Sequence, residues 1–211
     1  GKIYLTDRNT LKLLSDIENI DKKDKNRIKV KNGFATLNDK FFIIDDYPNK
    51  EDKNIITVYK ASNGETHYFF YPYDENGKPL SLLDIDNNLV DFMRNKAIEM
   101  EVDIENPSWY LYGRTQALND VKYNKVAINN LIRNSDDIKL YFIVGEEQTG
   151  VYSGYYIPLY NRDIGTKVME KIRFNLSNDF VEYIKAVGKY KNGGYYTFSS
   201  KELEMWLNYC T

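Results

Sequence analysis

Between Trp109 and Asn119 the sequence Trp-Tyr-Leu-Tyr-Gly-Arg-Thr-Gln-Ala-Leu-Asn passes from aromatic to flexible to polar within a few residues. Aromatic side chains anchor in a core, whereas Gly113 gives the backbone freedom to approach a partner closely. Arg114 and Gln116 then project fork-shaped donors. The stretch therefore fixes one point where the fold has to pass from a packed interior to an exposed loop. Arg and Gln are also the side chains that read base edges, Arg at guanine O6 and N7 and Gln at adenine N6 and N7. A buried Trp followed by an ordinary surface turn accounts for the same letters.

Around that loop the apolar spacing switches between the helical and strand periods. Leu11, Leu14, Ile17 and Ile20 recur at helical spacing behind Asn9 or Thr10 as a cap, which predicts a helix to about Ile20. Phe41 to Ile44 and Ile55 to Tyr59 read as strands. His67 to Tyr73 pairs with the second across Ser62-Asn63-Gly64-Glu65, which leaves Lys60 and Ser62 near the tip. After a turn at Asp74 to Gly77, a helix is expected from about Asp86 to Met100, with Leu89, Phe92, Met93, Ala97 and Met100 inward. Lys125 to Leu131, Leu140 to Val144 and Val151 to Leu159 read as strands. Asp163 starts a helix to about Phe174, and Ser177 caps another through Val187. Gly193-Gly194 breaks into a strand from Tyr195 to Phe198. Ser199 and Glu202 form a capping box for a last helix carrying Leu203, Trp206 and Leu207. The expected class is α+β, with mixed β-sheets and flanking helices.

The 211 residues, 42% of them hydrophobic, suffice to bury a sizeable core in one domain or two small lobes. A net charge of -2 argues against a protein that coats any phosphate backbone, so nucleic-acid contact has to be local. The basic run Lys22 to Lys31 offers one such place. If Ile28 and Val30 alternate as in a strand, Arg27, Lys29 and Lys31 share one side and form a phosphate-binding edge; a solvated face is the plainer reading. The chain has no apolar run long enough to cross a membrane and no signal-peptide pattern, so a cytoplasmic location and no membrane partner are expected. The single Cys210 excludes an internal disulfide.

Other chemistries fail on their residue requirements. His67 stands alone in a strand pattern without a second metal ligand. Asp84-x-Asp86-x-Asn88 imitates a calcium loop, yet Leu89 stands where glycine is needed and Asn95 where the bidentate Glu belongs. Asp45 or Asp46 with Glu51-Asp52-Lys53 has the letters of a metal-dependent nuclease, but all of them fall in one polar loop. No Gly-x-x-x-x-Gly-Lys loop exists, and with one histidine there is no Ser/His/Asp set. The stretch Lys189-Tyr190-Lys191-Asn192-Gly193-Gly194-Tyr195-Tyr196 joins charge, open backbone and stacking surfaces, as a second DNA contact would. A helix-terminating glycine turn is its alternative.

Trp109-x-x-Tyr112-Gly113-Arg114-Thr115-Gln116-Ala117-Leu118 resembles the signature in the C-terminal specificity region of Eco57I-type and TaqI-type adenine-N6 DNA methyltransferases. Three more segments are similar to that family's and fall in its order. They are Val30 to Leu37 running into Lys40-Phe41-Phe42-Ile43; Val58 to Ser62 followed by Phe70 to Asp74 and Gly77; and Tyr152-Ser153-Gly154-Tyr155 with Gly193-Gly194-Tyr195-Tyr196. The resemblance implies a TaqI-like target-recognition domain over residues 27–211, with residues 1–26 as a helical lead-in. It also implies contacts to double-stranded DNA from Tyr112, Gly113, Arg114, Thr115, Gln116, Lys29, Lys31, Thr36, Lys60, Ser62, Ser153, Lys191, Asn192, Gly193 and Tyr195.

Methyl transfer to adenine further needs a Gly-rich turn for the methyl donor and an Asn/Asp-Pro-Pro-aromatic loop for the flipped base. Asn106-Pro107-Ser108-Trp109 comes near the second, with Ser in place of the second proline and no donor turn upstream. The chain opens on Gly1 rather than Met, and an N-terminal catalytic domain of the same polypeptide, using S-adenosylmethionine, is expected. No cofactor and no catalytic residue is assigned to this chain. A protein-interaction module, or part of a fused restriction endonuclease, is the alternative.

Overall fold

The computed structural model describes residues 7–19, 27–145, 148–160, 169–170 and 172–210. The hairpin forms across Ser62-Asn63-Gly64-Glu65, as the sequence predicts. β2 (Ile55–Lys60) and β3 (Thr66–Phe70) pair antiparallel from Ile55 opposite Phe70 to Tyr59 opposite Thr66. Gly64, at φ 86°, supplies the left-handed residue that closes the turn. α3 (Asn87–Glu99) follows, capped by the Asp86 carboxylate on the Asn88 and Leu89 amides, with Leu89, Val90, Met93 and Ala97 buried. Asp86 is thus committed to the helix end.

Phe41 to Ile44 is not the expected strand. α2 (Asp39–Phe42) is a single helical turn, after which Ile43 bridges to Phe69 and the Ile44 amide donates to Tyr68 O. Phe41, Phe42 and Ile44 are all buried, so the run lacks the inside-outside alternation that separates strand from helix. The first helix is also capped two or three residues earlier than expected: α1 (Arg8–Glu18) starts behind Asp7, whose carboxylate accepts from the Asn9 and Thr10 amides.

Val151 to Leu159 splits into two strands. β7 (Gly150–Tyr152) lies parallel to β2, with Lys60 opposite Tyr152, giving the order β3-β2-β7. β8 (Tyr155–Leu159) belongs to another sheet, between β1 (Lys31–Asn32) and β4 (Asn124–Ile128). The break is Ser153 at φ 54° followed by Gly154, where a Cβ would lie 2.5 Å from both Ala61 Cβ and Ile128 O. β4 also ends early. The Asn129 amide turns the chain by bonding Leu131 O and Asp137 O, and β5 (Leu131–Ile132) leaves for a third sheet. β6 (Leu140–Ile143) closes the order β1-β8-β4-β6 as an open edge.

That four-stranded sheet separates two cores. Ala127 and Tyr156, opposite one another, join the core built on the hairpin and α3. Val126 and Ile128, with Ile157 and Tyr155 opposite them, join the other. The period of two sends alternate residues to opposite faces, and here both faces are buried. Lys125 in β4 is buried as well; its ammonium donates to Val121 O at 3.1 Å and Thr149 O at 2.6 Å, and burial pulls its pKa down to about 8.

The second core is covered by α1, α4 (Asn178–Val187) and α5 (Ser200–Tyr209), through Leu14 and Ile17, Phe180 and Ile184, and Leu203, Trp206 and Leu207. Ser199 and Glu202 form the expected capping box. The helix expected from Asp163 falls largely outside the described residues; residues 169–170 and 172–175 are helical. β9 (Lys189–Lys191) and β10 (Tyr195–Thr197) form a hairpin, a strand more than expected, and β10 pairs with β5. The fold is α+β, with antiparallel and mixed sheets. Among the described residues, no helix is long and apolar enough to cross a membrane.

Candidate nucleic-acid interface

Four segments distant in sequence are tied together by their backbones. Gly33 N donates to Gly154 O (3.1 Å) and Phe34 N to Val151 O (2.7 Å). Gly113 N donates to Thr36 O (3.2 Å) and Arg114 N to Ala35 O (2.9 Å), while Ala61 N donates to Tyr152 O (2.9 Å). The weave is tight at Gly33, where a Cβ would stand 2.4 Å from Val151 O.

Tyr112 locks this weave to the first core. Its ring packs against Phe34, Phe42, Tyr71 and Tyr73 at centroid separations of 4.8 to 6.4 Å. Its hydroxyl donates to Phe70 O at 2.6 Å, and its amide donates to the Tyr73 hydroxyl at 2.7 Å. Burial pushes the hydroxyls of Tyr71 and Tyr73 up to about 12, and that of Tyr112 well above its usual value. Trp109 packs beside it on Phe41 and Tyr110. Tyr112 is therefore an anchor and not the DNA contact that the resemblance implies. Thr36 is corrected in the same way: it is buried, and its hydroxyl donates to Asp39 at 2.5 Å.

From this anchor Gly113, Arg114, Thr115 and Gln116 are exposed, and the chain re-enters the core at Ala117 and Leu118. Arg114 faces no acid within ion-pair distance among the described residues. At Gly113 a Cβ would be 2.2 Å from Leu37 Cδ1, so its missing side chain makes room for Leu37. Ser62 sits exposed at the hairpin tip, and Ser153 is exposed at the β7-β8 break. Lys60 is partly turned to Glu65, 3.6 Å away.

The basic edge forms differently from expectation. Val30 is buried, Arg27 reaches back to Glu204 at 3.5 Å, and Lys29 remains 62% exposed at 4.0 Å from the same carboxylate. Lys31 donates to Asp120 at 2.6 Å and lies 3.4 Å from the Tyr160 hydroxyl. Burial lowers the Lys31 pKa and the Asp120 contact more than reverses this, leaving it raised. Of the three, Lys29 is the most exposed and the most loosely paired, and so the best placed to meet a phosphate. The sequence gives no sign of Asp120 as a partner, because that acid stands far down the chain.

The β9-β10 hairpin makes a second exposed basic surface. Lys189, Lys191, Asn192 and Gly193 are exposed, with Gly193 and Gly194 at φ 76° and 81° turning the chain. Lys191 lies opposite Tyr195, and the Arg133 guanidinium sits 5.1 Å above the Tyr195 ring. Arg133 was not expected here; its sole sequence signal is its place two residues after Leu131, just past β5, where both are exposed.

Neither catalytic alternative gains support. His67 Nδ1 lies 2.8 Å from Asp45, which also accepts from the Tyr68 amide. Burial raises the Asp45 pKa, but these bonds and the neighbouring Lys50 hold it below its ordinary value. The acid of the nuclease-like set is thus spent on the hairpin. Asn106 accepts from the Ser108 amide at 3.0 Å within its own turn. Among the described residues, no group of three His, Cys, Asp or Glu is placed to hold a metal. No family model matches the chain, and neither does any curated protein.

Proposed function

We propose that this chain is the DNA target-recognition part of a site-specific adenine-N6 DNA methyltransferase of a restriction-modification system. One observation carries the reading: of the segments that resemble the family's in sequence, those around Gly33, Ala61, Gly113 and Tyr152 meet in one hydrogen-bonded frame, with Gly193 to Tyr196 apart on the β9-β10 hairpin, and that frame leaves Arg114 and Gln116 exposed, with Arg114 facing no acid among the described residues. In this reading Arg114 and Gln116 read base edges from the aromatic anchor, while Lys29, Lys191 and Arg133 hold phosphates. The α+β architecture is in keeping with a TaqI-like recognition fold. Methyl transfer and S-adenosylmethionine belong to a catalytic domain of the same polypeptide, in the cytoplasm.

The test is selection of duplexes from a randomised pool by the chain, followed by binding at several salt concentrations. A DNA reader enriches one sequence, and its affinity falls with a log-log slope of about 0.9 per neutralised phosphate. Salt-insensitive behaviour with no enrichment favours the second reading, a protein-interaction module. What speaks for that reading is the open edge β6, where Phe142 in the strand and Val144 just beyond it are half exposed.

A further inference from the structure

Leu37 combines two properties that rarely coincide. Its backbone sits at φ 68°, in the left-handed region that leucine avoids, and its side chain is 77% exposed. Among the described residues, the other non-glycine positions with positive φ are Glu101, Gln148 and Ser153, all polar. Strain of this kind persists where the surroundings over-determine it, and it gathers at sites that work on a partner. The surroundings here are specific. Thr36 is fixed through its hydroxyl to Asp39, and the Asn38 amide donates back to that hydroxyl at 3.2 Å. Gly113, bonded to Thr36 O, leaves the gap against which the Leu37 side chain leans. The result is a rigid turn that holds one apolar side chain outward on the same lip as Arg114 and Gln116.

A side chain held outward by a strained turn beside Arg114 suits a partner that takes up an isolated branched apolar group between polar contacts. A base step does this: apolar side chains, leucine among them, insert between stacked base pairs and kink the duplex. Resting on the recognition reading above, we propose that Leu37 is a wedge that enters the base stack of duplex DNA next to the pair contacted by Arg114. Unstacking at that step makes deformable sequences easier to bind, which adds specificity at a position that no side chain hydrogen-bonds.

The test uses the whole chain with the duplex it selects from a randomised pool, carrying 2-aminopurine at successive positions. The expected result is a several-fold rise in fluorescence at one step, lost in Leu37→Gly and kept in Leu37→Met. Leu37→Gly removes the strained side chain, so it melts no lower than the parent protein and its loss of signal is not a folding defect. The wedge is overturned, with recognition intact, if the chain selects a sequence through Arg114 yet no position brightens, or if Leu37→Gly brightens the duplex like the parent. If no sequence is enriched at all, the recognition reading fails and the wedge fails with it.

Discussion

The Lys31 ammonium donates to the Asp120 carboxylate at 2.6 Å, tying the first strand of the four-stranded sheet to the segment that re-enters the core after the exposed loop. Asp120 also accepts from the Tyr156 hydroxyl at 2.7 Å and is buried. Lys31→Met leaves that carboxylate with one bond fewer in a poorly solvated place, and is expected to cost about 1–3 kcal/mol of stability. Chemical denaturation reads this. The slope of DNA affinity against salt should stay as it was, whereas Lys29→Ala should lower that slope by about one contact.

Arg114→Ala should behave in the opposite way. The side chain is exposed and faces no acid among the described residues, so the melting temperature is expected to stay within the scatter of surface substitutions. Discrimination between the selected site and single-base variants should fall by about 1–3 kcal/mol. Competition binding against those variants measures it; unchanged relative preferences would exclude base readout by this residue.

Arg133→Ala and Lys191→Ala should weaken binding to every duplex alike, each lowering the salt slope by about one. The two effects are not expected to be independent, since Arg133 stacks on the Tyr195 ring that lies opposite Lys191. The double variant measured in the same titration gives the coupling.

Glycine substitutions should separate the frame from its lip. At Gly33 an added methyl meets the Val151 carbonyl at 2.4 Å, a backbone atom that cannot turn aside, and Gly33→Ala is expected to cost more than about 2 kcal/mol. At Gly113 the obstacle is the exposed Leu37 side chain. Gly113→Ala should therefore fold almost normally and disturb DNA binding instead, as thermal melts and binding titrations run in parallel will report.

Alkaline pH should unfold the protein cooperatively. Burial holds the Tyr71, Tyr73 and Tyr152 hydroxyls at about 12 against an ordinary 10.0, and those of Tyr112 and Tyr156 well above it. Below the ordinary value both folded and unfolded chains keep these protons. Above it the unfolded chain releases them first, so stability is lost as pH climbs from 10 toward 12. Lys125 acts with the other sign at lower pH. Its folded value of about 8 lies under the ordinary 10.5, so between the two the unfolded chain binds the extra proton and stability rises with pH. Urea midpoints across this range, with tyrosinate absorbance followed alongside, check both limbs.

Much of this was readable in the order of residues, and the exceptions share a cause. The hairpin, α3 and the Ser199-Glu202 cap carry local signals, namely β-branched and aromatic runs about a turn glycine, apolar residues at helical spacing, and a capping pair. Phe41 to Ile44 and the β7-β8 break do not, because buried residues on every side erase the period by which strand and helix are told apart. The exposed tetrad from Gly113 to Gln116 was readable as a change from aromatic to polar. The fate of the basic run was not, since Glu204 and Asp120 reach Arg27 and Lys31 only once the chain has folded. Leu37 was hidden for a related reason: its significance lies in a backbone angle and in the gap at Gly113, neither of which a leucine announces.

The four-stranded sheet is a wall shared by two cores. β4 and β8 give alternate residues to each side, so loosening one core withdraws support from the strands that hold the other. Packed interiors of this kind pass strain on rather than absorb it. If such a body meets a double helix as proposed, the shape change falls to the softer of the two partners. The lip that bears Leu37 and Arg114 would then act as a fixed template, and what it selects is the ease with which a given stretch of DNA conforms to it.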